Sequence, residues 1–170
     1  MGVLANPKPQ ECCRLNRREL GLLSFGLLAL SAGQSLASAR KLSDQRPRRY
    51  QKAGMALGGF DTLAYFTLGK AVRGSKDLAH NWDGATWLFS SQEHLHRFKA
   101  DPEAYAPRFG GYCPYWLARA ALVPGSPQAW AIEDGKLYLS YSKTYRRTWL
   151  KQADNILPKA AANWAQIVAL

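Results

Sequence analysis

Two Asp-Gly pairs, Asp83-Gly84 and Asp134-Gly135, limit the folds open to this chain more than any other feature. The first lies between Leu78–Trp82 and Ala85–Phe89, the second between Ala129–Glu133 and Lys136–Tyr141. Asp-Gly readily supplies the two positive-φ residues of a tight hairpin turn, so both pairs of segments are predicted to be β-hairpins. Helix signals surround them. Asp61 reads as the N-cap of Thr62–Thr67, which Gly69 ends. Ser90-Ser91-Gln92-Glu93 reads as a capping box opening a helix to about Ala100. Asp101-Pro102-Glu103 starts a short helix through Tyr105. Ser142 precedes a helix over residues 143–152, and Pro158 is expected to interrupt the chain before a last helix, Lys159–Val168. The expected architecture is α+β: a small single domain with two β-hairpins and several short helices. No recurring repeat is expected.

The 170 residues suit one domain plus appendages. Net charge is +11, but it is unevenly spread. Residues 40–52 hold six basic residues and one acidic one, whereas residues 53–170 hold 13 basic and 9 acidic, a net of only +4. The folded part therefore lacks the basic excess of a nucleic-acid-binding domain, and no nucleic-acid partner is expected. Residues 1–39 read as an export signal. Arg14, Arg17 and Arg18 form a basic start, an apolar run extends from Leu20 to Ala32, and Ala37-Ser38-Ala39 offers a cleavage site. Asn16-Arg17-Arg18-Glu19-Leu20 looks like a twin-arginine motif, although Asn stands where Ser or Thr is usual and Leu20 where Phe is common. The expected location is periplasmic, or membrane-anchored if the signal stays on. Residues 40–53 read as a basic linker able to touch anionic lipid headgroups, and residues 54–170 as the domain.

Cleavage after Ala39 would leave Cys113 as the one cysteine, since Cys12 and Cys13 precede the cut. A single exported thiol cannot close an internal disulfide. Gly110-Gly111 before it permit a tight turn, and Pro114 after it suits the first turn of a helix, here expected to run from Tyr115 to Leu122. Free N–H groups at such a helix start favour a thiolate, so the expectation is a partly exposed thiol.

Several blocks carry a family resemblance: Gly58-Gly59-Phe60-Asp61 with Ala64-Tyr65-Phe66; Trp82-Asp83-Gly84-Ala85-Thr86-Trp87; Phe98 to Pro107; Gly110-Gly111-Tyr112-Cys113; Asp134 to Leu139; and Ala160 to Trp164. In order and spacing they resemble exported bacterial YHS-domain proteins, over roughly residues 54–166. The resemblance implies a YHS-like fold and the Cys113 block, but no assigned reaction. It also implies kinship with small metal-handling modules attached to copper-transporting ATPases. Those modules place cysteines where this chain has residues near Thr62–Ala64, Ser90 and His94, so their thiolate cluster is absent here.

The residues leave three functions open. Cys113 with His94 or His80 would make a soft, two-coordinate site suited to copper or another soft metal ion. A regular helix cannot aim His94 and His96 at one ion, and zinc would want four ligands. The first expectation is accordingly a metal- or thiol-handling binding module centred on Cys113. The second is a structural or partner-binding domain, its protein partner unknown, with an inert buried cysteine. The third is a thiol-dependent enzyme of unknown substrate, with a histidine and Asp61 or Asp101 assisting Cys113. Trp82, Trp87, Tyr112, Tyr115 and Trp116 could wall the thiol or simply pack the core.

The export reading makes a direct prediction. A fusion of residues 1–45 to a reporter active only when exported folded should be active, and Arg17→Lys with Arg18→Lys should abolish that activity. Undiminished export by the double variant would point to the general secretory route.

Overall fold

A computed structural model describes residues 48–169. The export signal and residues 40–47 of the expected linker lie outside the described residues. Among the described residues, six strands and six short α-helices form an α+β fold with a four-stranded and a two-stranded sheet. In chain order these are β1 (Gln51–Lys52), β2 (Met55–Ala56), α1 (Leu63–Thr67), β3 (Ser75–Trp82), β4 (Ala85–Phe89), α2 (Gln92–Ala100), α3 (Pro102–Tyr105), α4 (Pro114–Leu117), β5 (Ser126–Glu133), β6 (Lys136–Ser140), α5 (Lys143–Leu150) and α6 (Ala153–Val168). The larger sheet has the order β1-β2-β4-β3, with β2 parallel to β4 and the other pairs antiparallel. The second sheet is the β5–β6 hairpin alone. Strand β1 lies inside the stretch read as a linker, so residues 48–52 are part of the fold.

Both Asp-Gly pairs form the expected turns. Asp83 and Gly84 have φ of 47° and 74°, and Asp134 and Gly135 have 50° and 68°. Trp82 pairs with Ala85 and Glu133 with Lys136, so each loop has two residues.

The two hairpins belong to a structural repeat that contradicts the expectation of none. Leu57-Gly58-Gly59-Phe60-Asp61 and Phe109-Gly110-Gly111-Tyr112-Cys113 share one backbone shape. The first three residues have φ of 51°, 61° and 84° in one copy and 55°, 61° and 87° in the other. Asp61 N–H donates to Val72 O at 2.8 Å, and Cys113 N–H to Val123 O at 2.9 Å. Gly74 N–H donates to Gly59 O at 3.0 Å, and Gly125 N–H to Gly111 O at 2.9 Å. A short helix, a hairpin with one register shift and a serine-capped helix come next in both copies. Few side chains are shared, so the likeness resides in the glycines, the turns and the caps.

Two cores lie on either side of the β5–β6 ribbon. Along β6 the side chains alternate, as strand geometry requires. Leu137 and Leu139 join Leu63, Tyr65, Trp87, Phe89 and Phe98 in the first core. Tyr138 joins Phe109, Leu117, Trp149, Ile156 and Ala160 in the second. In the first copy, Phe89 and Phe98 pack ring to ring at 5.1 Å. The second copy has Ser140 and Trp149 there, and the indole N–H donates to Ser140 Oγ at 2.8 Å.

Three helix expectations need correction. Ser91, not Ser90, caps α2, accepting from His94 N–H, because Ser90 Oγ donates instead to Asp61 Oδ2 at 2.6 Å. Helix α4 ends at Leu117 rather than near Leu122. Ala120 turns left-handed at φ 58°, and Ala121 N–H closes back on Trp116 O at 3.0 Å. This is a Schellman-type stop with alanine at the position glycine usually fills. Helix α6 starts at Ala153 and carries Pro158 inside it. The proline forgoes only the bond to Asp154 O, close to the helix start, where one missing bond interrupts little.

Gly125 and Gly135 should respond differently to alanine. A Cβ at Gly125 would sit 2.4 Å from Leu139 Cβ and 2.7 Å from Gly111 O, whereas one at Gly135 meets nothing within 4 Å. Gly125→Ala should therefore lose about 2–3 kcal/mol to overpacking, and Gly135→Ala about 1 kcal/mol to turn strain alone. Urea denaturation reads both, and equal losses would contradict the close approach.

Candidate functional site

Cys113 heads α4, its carbonyl accepting from Leu117 N–H at 3.0 Å. It is fully buried, at 0% exposure, which overturns the expectation of a partly exposed thiol. The helix it heads is one turn long, so it aligns far fewer peptide dipoles than the longer helix expected. The glycines before Cys113 serve packing. A Cβ on Gly110 would lie 1.9 Å from Arg48 O and 2.9 Å from the Trp164 ring, so the incoming chain can lie on the turn only at glycine. Tyr50 N–H donates to Gly110 O at 2.8 Å and fixes it there.

The histidines are engaged elsewhere. His94 is 7% exposed, its Nδ1 2.6 Å from Asp61 Oδ2 and its Nε2 3.1 Å from Thr67 Oγ1. His80 meets Phe98 edge-on, with ring centroids 6.4 Å apart. His96 Nε2 lies 2.9 Å from Gln92 Nε2 on the exposed side of α2. No hydrogen bond joins His80 or His94 to Cys113, and no group of three or more His, Cys, Asp or Glu could hold a metal ion, among the described residues. Asp101 caps α3 through Ala104 N–H at 3.2 Å. The structure thus draws His94 and Asp61 together and leaves Cys113 outside that group.

Asp61 is the most connected polar residue of the first copy. Its carboxylate is fully buried and accepts from Leu63 N–H at 2.9 Å, Ser90 N–H at 2.8 Å, Ser90 Oγ at 2.6 Å and His94 Nδ1 at 2.6 Å. With the carboxylate as acceptor, Nδ1 of the imidazole carries a proton. Nearby, burial first and Asp61 second push the Tyr65 phenol well above its ordinary value of 10.0. Its hydroxyl donates to Pro127 O at 3.1 Å, tying α1 to the second hairpin. Asp61, His94 and Thr67 form a carboxylate–imidazole–hydroxyl line, but Thr67 Oγ1 donates to Leu63 O at 3.0 Å. The hydroxyl proton is then committed to a carbonyl, and the line does not activate Thr67 as a nucleophile.

The aromatic residues considered as a wall for the thiol are dispersed. Trp87 lies in the first core, while Tyr115 and Trp116 pack on Tyr145 at 4.8 and 5.2 Å. Trp82 lines a cavity of about 460 Å³ with Arg48, Arg49, Arg108, Phe109 and Trp164. Arg49 shapes this cleft. Its guanidinium lies 4.6 Å from the Trp82 ring centroid, bonds Asp83 at 2.7 Å and Glu103 at 3.3 Å, and reaches Pro107 O at 3.4 Å. Its side chain is only 12% exposed. Asp83 and Glu103, which also line the cavity, are thereby paired, whereas Arg48 and Arg108 have no carboxylate partner among the described residues. Helix α6 brings in Trp164. The neighbouring Asn163 Nδ2 donates to Leu117 O at 2.8 Å and holds the helix against the end of α4.

No family model, no curated protein and no solved structure matches this chain. Sequence reasoning missed the cleft because Arg48 and Arg49 fall in the stretch read as linker, and the blocks on either side of Arg108 drew attention to Cys113 instead. The available signal was Asn163-Trp164 in the closing block.

Asp61 should dominate the stability of the first copy. Asp61→Asn places an NH₂ among donors and should cost about 3 kcal/mol, in the range for breaking a buried hydrogen-bonded pair. Urea denaturation checks this, and a loss under about 1 kcal/mol would show that the four bonds are replaceable.

Proposed function

We propose that this chain is an exported, YHS-like binding domain in which Cys113 is a buried structural residue rather than a metal or redox centre. The single observation that carries the reading is the complete burial of Cys113, with both histidines committed to other partners. A thiol that must bind a soft metal or attack a substrate needs access, and free cysteine is commonly a small core residue. The family resemblance supports the domain type, and the apolar segment of residues 20–32 supports export. Among the described residues no helix is long and apolar enough to cross a membrane, so anchoring would fall to that segment. The binding surface on this reading is the cleft between Arg48, Arg108 and Trp164.

The test is made on full-length protein carrying Cys12→Ser and Cys13→Ser, so that Cys113 is the one thiol. The native protein should leave Cys113 unmodified by a thiol reagent on a timescale where the denatured protein reacts fully. Anaerobic Cu(I) uptake should be the same with and without Cys113→Ser. Rapid native modification, with copper uptake lost in Cys113→Ser, would overturn the reading in favour of a Cys113-centred module.

A further inference from the structure

We infer that the cleft is a site for a small flat apolar ligand bearing a carboxylate or phosphate, the anionic group held by Arg48 and Arg108. The inference deepens the binding-domain reading and rests on it. Three observations carry it. The cavity, at about 460 Å³, lies within the range of small-molecule sites. Its charge is one-sided in a specific way: Arg49 answers both wall carboxylates, which leaves Arg48 and Arg108, both lining the cavity, with no carboxylate partner among the described residues. Guanidinium is the side chain best shaped for two-point binding of carboxylate or phosphate oxygens. The third observation is the lining. Trp164, Phe109 and Val168 contribute aromatic and aliphatic surface beside the arginines, while Arg49 lies over the Trp82 ring; this surface suits a flat apolar body and contributes nothing to a bare inorganic ion.

The site is also held in place. Trp164 packs on Phe109 at 6.4 Å and on Tyr112 at 6.0 Å. Arg48 sits against Gly110 through its own carbonyl, and Arg108 directly precedes that turn. Both cationic groups are therefore carried by backbone that the Gly-Gly turn fixes, so the ligand meets arginines whose anchor points do not have to be ordered on binding.

Calorimetric titration of the full chain with 2-naphthoate and 1-naphthyl phosphate tests the assignment. Both should bind, with 2-naphthalenemethanol and inorganic phosphate each at least about tenfold weaker. Arg48→Gln and Arg108→Gln should each weaken naphthoate about tenfold or more, and Trp164→Leu should weaken all three aromatic probes. Arg147→Gln, an exposed arginine on α5, should change nothing. Vesicles rich in anionic lipid should not compete with naphthoate. Equal binding of the neutral probe, unchanged binding in both arginine variants, or no naphthoate binding at millimolar concentration would overturn the anion assignment. Competition by vesicles would replace it with a membrane-surface role. Because the Cys113 measurements do not involve this cleft, a failure here with an inert thiol removes the ligand class alone.

Discussion

A two-stranded ribbon with no sheet to join must bury both of its faces, and this requirement governs the second half of the molecule. An isolated hairpin is marginal in water, and among the described residues β5–β6 pairs with no other strand. Its alternating side chains therefore divide between two cores. The first core already exists in the four-stranded sheet and α2. The second has to be built from α4, α5 and α6, which explains why helices dominate the C-terminal third. Trp149 and Ile156 fill that core, and Trp164 extends its edge to the surface. The wall of the cleft is thus a by-product of covering the ribbon.

The repeat explains why two such different residues as Asp61 and Cys113 head their short helices. The backbone at both is the same, each N–H paired to the strand-leading segment ahead of its hairpin. The surroundings of each are then set by its side chain. A buried carboxylate is tolerable only when its oxygens are answered, and Asp61 recruits Ser90, Leu63 N–H and His94 to do so. A thiol carries no such demand. The second copy accordingly places Tyr141 and Tyr145 where the first has Ser90 and His94, and these rings pack on each other at 5.9 Å. The polar network of one copy and the aromatic cluster of the other are two ways of meeting a single geometric position.

Local chemistry made part of this readable in the sequence. Asp-Gly turns, the Asp101 and Ser142 caps and the α+β class depend on neighbours a few residues apart, and they appear where the residues place them. Of the helix ends that moved, the start of α2 did so for a non-local reason: Ser90 is drawn away from capping by Asp61, which is remote in sequence. The repeat escaped because its signature is glycines at matched positions, Gly58-Gly59 with Gly74 against Gly110-Gly111 with Gly125. Side chains between them are free to differ. The exposure of Cys113 was not readable, since burial is decided by what the rest of the chain packs over a residue.

The role of residues 48–50 is set by the same geometry. A basic stretch is solvated unless something specific captures it, and here two features do. Gly110 removes the side chain that would block Arg48 O, and Asp83 and Glu103 receive Arg49 over Trp82. Neither feature suffices alone. A backbone bond from Tyr50 would leave the guanidinium loose, and exposed ion pairs by themselves contribute little. Together they dock the chain across the cleft and present Arg48 beside Arg108. The Gly-Gly turn beside Cys113 thus serves the segment that enters the domain, and the exposed Arg48 and Arg108 both line the cavity there.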